Sequence, residues 1–409
     1  MNSQGIVCTG CGCLCDDILL EVEGERLGRM ENVCAKGAAY LGSAGNAERR
    51  ARSLIAGREV SLDQAIEEAG QLLSEADKCL IFGLDNSTLQ AQVAGIELAR
   101  KLGGVIDDAS SFSFGNLIQN TVNGELPTCF LSEVKDNADL LLYWGSNPTH
   151  THPRHLSKYT YLAYTDFDPA GWLPRGVRLS CVEVRDTEFS SMCRPSFKID
   201  PCGDEAFIRA ILDPEQGGTE ETRAFADLIA KSSFCVLFCG SGLCYSVDGD
   251  FGSFNEMVNR LGQSTRMAVI PMVGESNMRG FNETLNRKSG FVDRVSFAEG
   301  VSQGAEFSFL EQVRNQIPDC VLIVGADPFS ALPQTLMANL QDVDIICLDS
   351  FSTPTTEAAD VVVPVALPGL ECEGSVLRMD GDEVALVAPL KGEYPGDEEV
   401  IRRLTESIS

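Results

Sequence analysis

From about residue 60 the chain alternates two kinds of hydrophobic pattern. SLDQAIEEAGQLLSEA carries apolar residues at helical spacing and begins with Ser61, placed as an N-cap. STLQAQVAGIELARKLG and DEAFIRAILD read the same way. Between and after them lie short, nearly continuous apolar runs: KCLIFGL, DLLLYWGSNP, VRLSCVEVRD, SSFCVLFCGSGL, RMAVIPMVG, DCVLIVGADP, VDIICLDS and ADVVVPVA. Strands buried on both faces have that look, and their alternation with amphipathic helices predicts an α/β fold with mainly parallel sheets. Ahead of them, ILLEVEGERLGRM alternates apolar and polar positions around a Gly-containing turn, which predicts a small β hairpin. The expected organisation is a β module over residues 1–50, a discontinuous α/β domain over 51–105 and 266–409, and an inserted α/β domain over 106–265.

Several of the strands run into polar loops rich in Gly and Pro: YWGSNPTHTHPRH, FCGSGL, VGADPFSALP and LDSFSTPTTEAAD. In open α/β sheets ligands bind beyond the carboxyl ends of the strands, and glycine lets backbone N–H groups approach phosphate. Four such loops predict a wide site for a large phosphate-bearing ligand. Neither a P-loop nor a G-x-G-x-x-G fingerprint is present, so an ordinary ATP or NAD site is not expected.

Composition narrows the class. The 409 residues carry 60 Asp and Glu against 32 Lys and Arg, a net charge of −28, which disfavours nucleic acid and anionic membrane as partners. No stretch approaches the roughly 18 apolar residues of a membrane span, and MNSQG lacks the basic and apolar regions of a signal peptide. The expectation is a cytoplasmic protein, where 16 cysteines do not form a disulfide framework. Cys235, Cys239, Cys320 and Cys347 sit in apolar runs and read as small buried hydrophobes.

The first cysteines are different. VCTGCGCLCDD places Cys8, Cys11, Cys13 and Cys15 in one loop, and Cys34 follows in NVCAKGAAYLG. Three close thiols and one remote thiol suit a 4Fe–4S cluster better than a zinc ribbon, which shows two separated C-x2-C pairs. The spacing Cys8-x2-Cys11-x3-Cys15-x18-Cys34 sets Cys13 aside as a spare, while the residues alone leave open which of Cys11, Cys13 and Cys15 are ligands; the family pattern named below favours Cys11 and Cys15. All three histidines, His150, His152 and His155, lie in one loop, either as ligands or as packing; no acidic residue stands at ligand spacing beside them.

The tail, TPTTEAADVVVPVALPGLECEGSVLRMDG (353–381), resembles the molybdopterin oxidoreductases in Ala359, Asp360, Pro364, Glu371, Gly374, Ser375, Arg378 and Gly381. With the cysteine loop and Cys34-Ala-Lys36-Gly, the match spans nearly the whole chain. Within that superfamily, PTCFLSEVKDNADLLLYWGSNPTHTHPRH together with these motifs is similar to the B subunits of formylmethanofuran dehydrogenase. The resemblance implies a DMSO-reductase-like fold without the C-terminal barrel domain, a 4Fe–4S cluster on the four cysteines, and a molybdopterin guanine dinucleotide with molybdenum or tungsten. It implies that Lys36 lies between the two cofactors. Gly145, Ser146, Asn147 and Pro148, then Gly240, Ser241 and Gly242, then Gly325, Asp327 and Pro328 would contact the dinucleotides. Asp349 and Thr355 would meet the guanine end, and Arg378 would join the catalytic group. Implied partners are an amidohydrolase A subunit, a C subunit and a D subunit of a one-carbon complex.

One stretch departs from the family. Where it carries the metal-ligating Cys or selenocysteine followed by His, SSFSFGN (110–116) has Ser113 and Phe114. A hydroxyl is a poorer ligand than thiolate for these soft metals, and Phe cannot move a proton. The resulting expectation is the B subunit of a bacterial formyltransferase/hydrolase complex, serving as a non-redox scaffold. The alternative is a working dehydrogenase subunit with Ser113 as the metal ligand.

Overall fold

The computed structural model describes residues 2–24, 26–163 and 176–408. The chain divides into two compact units, one of residues 1–111, 275–378 and 383–409, the other of residues 112–274 and 379–382.

The first unit is built on a nine-stranded sheet. Its centre is five parallel strands in the spatial order Val105–Asp107, Cys79–Gly83, Cys320–Val324, Asp344–Asp349, Val361–Pro364. These are the continuous apolar runs of the sequence; Leu322 pairs with Ile81 on one side and Ile346 on the other, and all three are fully buried. Short antiparallel strands extend both edges. Helix Leu62–Glu75 starts at Ser61 with a capping box to Gln64, and helix Leu89–Leu102 starts at Thr88 and stops at Gly103 in the left-handed conformation. Their apolar faces join Val400, Ile401 and Leu404 of the last helix, Asp397–Ser407, in one core with the sheet. Arg403 reaches Asp63 at 2.6 Å, and Lys101 Nζ donates to the carbonyl of Thr405 at 2.9 Å.

The same unit holds a three-stranded antiparallel sheet. The expected hairpin is present as Ile18–Glu23 and Arg26–Glu31, and a strand that the hydrophobic pattern does not predict, Asn2–Ile6, pairs along its free edge. The cysteine loop, residues 7–17, connects that first strand to the hairpin.

The second unit has a wholly parallel five-stranded sheet, ordered Ser196–Lys198, Arg178–Glu183, Leu140–Trp144, Phe234–Cys239, Arg266–Pro271. Trp144 anchors its core. The ring is fully buried against the edges of Phe207, Phe225 and Phe254, and its Nε1 donates to Asp204 Oδ1 at 2.6 Å. A buried indole needs that acceptor, because an unpaired N–H would cost about 1–3 kcal/mol.

In each unit strand order reverses beside the first parallel strand. In the first, the chain steps from Cys79–Gly83 to Val105–Asp107 on one side and later to Cys320–Val324 on the other. In the second, it steps from Leu140–Trp144 to Arg178–Glu183 and later to Phe234–Cys239. Such switch points open a crevice beyond the carboxyl ends of the strands.

Candidate functional site

The switch point of the second unit gathers two of the loops singled out in the sequence. Gly145 follows strand Leu140–Trp144 with φ 57°, and Gly242 N donates to its carbonyl at 3.1 Å. A Cβ at Gly240 would stand 2.2 Å from Gly145 O and 2.7 Å from Ser146 Cβ, so the two loops interlock in a way only glycine permits. Ser146 and Pro148 are buried beneath this contact, while Ser241 is exposed at the start of helix Ser241–Ser246. Asn147 is tied to Glu188, whose carboxylate also accepts from Thr149 Oγ1 at 2.8 Å and pairs with His150 Nε2 at 2.6 Å. Glu188 is exposed, and a hydrogen bond from its own backbone N–H, followed by those from Thr149 and Asn147, pulls it down to about 2.

The histidines therefore separate. His150 is exposed on Glu188, His152 Nε2 bonds the carbonyl of Val273 at 2.8 Å, and His155 is fully buried edge-on to Tyr143 and Phe238. Burial holds His155 neutral by lowering its pKa. In the same unit Ser113 is half-buried in the turn before helix Gly115–Val122, and Phe114 is buried at that helix's N-cap position, where its side chain makes no capping bond.

The switch point of the first unit brings together Gly325, Asp327, Pro328, Asp349 and Thr355. Asp327 caps the short helix Pro328–Ala331 and receives both the backbone N–H and the hydroxyl of Thr355, at 3.1 and 2.6 Å. Thr355 is fully buried, so it acts by fixing Asp327. Asp349 closes strand Asp344–Asp349, accepts from Phe351 N at 2.8 Å, and is pushed up to about 7 by burial, with Asp327 adding to the rise and Arg50 opposing it. Arg50 pairs with Glu371 at 2.7 Å, both mostly buried.

The cysteine loop of this unit is folded tightly. Cys8 N donates to Cys15 O at 2.9 Å and Leu14 N to Cys11 O at 3.1 Å. Cys34 caps helix Ala35–Ala44 with its sulfur, accepting from Gly37 N at 3.3 Å. Cys8, Cys11, Cys13 and Cys15 are buried and Cys34 is half-buried, all five as thiols rather than disulfides. Burial raises the Cys8 thiol to about 11, whereas the hydrogen bond from Cys13 lowers Cys11 to about 7, with exposed Lys36 lowering both. Arg378, buried after strand Gly374–Leu377, lends its charge to Cys13.

Among the described residues no three His, Cys, Asp or Glu side chains converge as ligands of a single metal ion. A 4Fe–4S cluster asks for something different, since each thiolate binds its own iron. The loop fits that larger group in one respect that geometry decides. A Cβ at Gly37 would lie 2.9 Å from Cys8 Sγ and 3.7 Å from Cys34 Sγ, so two thiols 26 residues apart in sequence face one space kept clear by a glycine.

Two polar features of this unit carry no mark in the sequence. Arg279, on helix Met278–Ser289, is almost wholly buried and bonds Glu283 at 2.8 Å. Asn86 and Glu275 meet at the switch point, Asn86 Nδ2 donating to Glu275 Oε2 at 2.9 Å and to Gly325 O at 3.1 Å. Asn86 and Glu275 lie 189 positions apart, and although Arg279 and Glu283 are spaced i,i+4, nothing in that spacing tells a buried pair from an exposed one.

No family model matches the chain. It is 30% identical over 429 residues to the B subunit of the tungsten-containing formylmethanofuran dehydrogenase 2 of Methanocaldococcus jannaschii, covering 99% of this chain and 98% of that protein. The corresponding protein of Methanococcus maripaludis is 27% identical over 432 residues, with the same coverage. Among solved structures, a chain of the formyltransferase/hydrolase complex from Methylorubrum extorquens, in complex with methylofuran, aligns with a TM-score of 0.69 at 19% identity over 87% of this chain and 98% of its own. Acetylene hydratase from Pelobacter acetylenicus gives a TM-score of 0.69 at 14% identity over 99% of this chain and 69% of its own. These two likenesses carry the fold, which is DMSO-reductase-like as the resemblance implied. Near-full-length identity to the archaeal proteins carries more: this chain belongs to the family of formylmethanofuran dehydrogenase B subunits.

Proposed function

We propose that this protein is the B subunit of a multisubunit formylmethanofuran-handling complex in one-carbon metabolism, and that its role there is a non-redox scaffold of the formyltransferase/hydrolase type. The observation that carries this reading is the pair Ser113 and Phe114 where the family has its metal-ligating cysteine and a histidine. Two changes at once remove the soft ligand and the group able to transfer a proton at neutral pH. Likeness to a chain of the Methylorubrum extorquens complex supports a multisubunit partnership, and the amidohydrolase A, C and D subunits are the partners that the family resemblance implies. Cys8, Cys11, Cys15 and Cys34 would hold a 4Fe–4S cluster, which supplies one-electron chemistry when bound.

A second reading rests on a different observation. The two switch-point crevices and the cysteine loop are what a bound metal dinucleotide and its electron partner would use, and the relative at 30% identity is a tungsten-containing enzyme. On that reading Ser113 is the metal ligand, the glycine loops at 145 and 240 and the 325–328 loop grip the dinucleotides, and the subunit interconverts CO2 and formate.

Elemental analysis of the purified complex, joined to dye-coupled oxidation of formylmethanofuran, separates the two. The scaffold reading expects iron without molybdenum or tungsten, formyl transfer intact and no dye reduction. Molybdenum or tungsten at about one per chain, with dye reduction lost in Ser113→Ala, would replace it with the dehydrogenase reading.

A further inference from the structure

Cys79 and Cys320 stand opposite each other in the central sheet of the first unit. Each is the first residue of its strand, Cys79–Gly83 and Cys320–Val324, and the parallel register pairs one with the other. Among the described residues no other two cysteines are partners in a sheet ladder. Opposed residues of a parallel pair point to one face, and both thiols enter the core that also holds Ile81 and Leu322. Two cysteines that only filled volume would have no reason to be placed side by side.

The pairing is pinned just ahead of the thiols. Asp319 Oδ1 accepts from Lys78 N at 2.9 Å, its Oδ2 accepts from Asp77 N at 3.0 Å, and its own N–H donates to Lys78 O at 3.2 Å. A slip of one residue between the strands would break all three bonds. Neighbouring strands lie about 4.8 Å apart, within the Cα separation of about 4.4–6.8 Å that a disulfide spans. The two cysteine side chains already share a hydrogen bond, which with burial raises the Cys320 thiol. Both are free thiols, Cys79 4% exposed and Cys320 1%, and each follows an exposed residue, Lys78 or Asp319. The pair therefore sits one residue inside a wet edge of the sheet. The crevice lies at the far ends of the same strands, where Leu84 N donates to Val324 O at 2.8 Å.

We propose that Cys79 and Cys320 are a redox modification site, converted by peroxide to a disulfide that staples the two central strands and returned to thiols by a dithiol reductant. Cys79, the more exposed, reacts first. Its sulfur, as thiolate, attacks one oxygen of hydrogen peroxide; the O–O bond breaks, a sulfenic acid forms, and the departing hydroxide leaves as water with the proton the thiol gave up. The Cys320 sulfur then displaces the hydroxyl group, forming the S–S bond, and its proton leaves in a second water. In sum, two thiols and one peroxide become one disulfide and two waters, the sulfurs losing the two electrons that the peroxide gains. Reduction by dithiothreitol transfers two electrons and two protons back and leaves the reductant as its own disulfide. The ring closed by the bond runs from 79 to 320 and encloses residues 112–274, nearly all of the second unit. The site is independent of the role proposed for the subunit and of any group held by the cysteine loop.

The test treats the purified native complex with stepped amounts of hydrogen peroxide, removes the excess with catalase, and alkylates the remaining thiols with iodoacetamide in urea. Peptides are then mapped by mass spectrometry without reductant. Loss of alkylation at the exposed thiol of Cys202 reports that oxidant has reached the chain. The expected result is a peptide with Cys79 joined to one with Cys320, both thiols being lost together and regained after dithiothreitol. Cys320→Ala should stop the reaction at a sulfenic acid on Cys79, trapped by dimedone, and Cys79→Ala should leave Cys320 alkylated; the two variants guard each other against a folding defect. Cys79 and Cys320 still fully alkylated once Cys202 is oxidised would overturn the proposal. So would a link that forms only when peroxide is added in urea, or joining of either one to a different cysteine in the folded protein.

Discussion

Asp349 offers the sharpest test of how the first crevice is built. Its carboxyl is buried at the end of a parallel strand and raised from 3.8 to about 7. The sign follows from the raised value. The unfolded chain releases this proton near pH 4 and the folded chain near pH 7, so the group penalises folding increasingly as pH rises between those values. Each pH unit is worth about 1.4 kcal/mol, so the penalty is about 2 kcal/mol at pH 5 and levels off near about 4 kcal/mol above pH 7. Asp349→Asn keeps an oxygen for the N–H of Phe351, 2.8 Å away, and removes the charge. The variant should be more stable than the native chain in urea unfolding at pH 8, and its advantage should shrink by about 2 kcal/mol at pH 5. Other buried acids, such as Asp107 and Asp397, titrate in both proteins and cancel in the difference. An advantage that is absent, or equal at the two pH values, would refute the reasoning. A carboxylate retained at such a cost is what a binding crevice is expected to contain, since function and stability compete at such positions.

Three further outcomes are expected. Gly37→Ala should fold, the gain of about 1 kcal/mol in helix propensity offsetting part of an overpacking cost of about 1–3 kcal/mol, yet lose iron per chain, because its Cβ enters the space faced by Cys8 and Cys34. Cys13→Ser should leave iron content unchanged while Cys34→Ser lowers it, and equal losses in both would reassign the ligands. Gly240→Ala should destabilise the second unit by about 1–3 kcal/mol in a denaturant melt, because its Cβ meets Gly145 O; an unchanged midpoint would show that the two loops part easily.

The parallel strands are legible in the sequence because each is buried on both faces and so carries an unbroken apolar run, as CLIFG and CVLIV do. The glycine loops are legible for a local reason too, since the strand and its turn are adjacent in the chain. Strand Asn2–Ile6 is not, because NSQGI has no alternation of its own and becomes a strand by pairing with Ile18–Glu23. Helix Met278–Ser289 is hidden by its composition. Arg279, Asn282 and Thr284 are buried there, and the Asn282 amide nitrogen donates to Ser110 Oγ at 2.8 Å and Val292 O at 2.9 Å, bonds that no pattern within the helix announces. The Asn86–Glu275 contact joins segments 189 positions apart, a distance over which one sequence carries no positional signal.

The last helix, Asp397–Ser407, has a consequence for synthesis on the ribosome. It fills the core between helices Leu62–Glu75 and Leu89–Leu102, where Val400, Ile401 and Leu404 are fully buried and the hydroxyl of Ser407 closes over Gly70. Those earlier helices emerge hundreds of residues before their cover does, so their apolar faces must stay open while the second unit, nearly contiguous in the chain, can already collapse. The native cover of those helices is thus completed only when residues 397–407 have been made, whereas the segments of the second unit are nearly all present well before that.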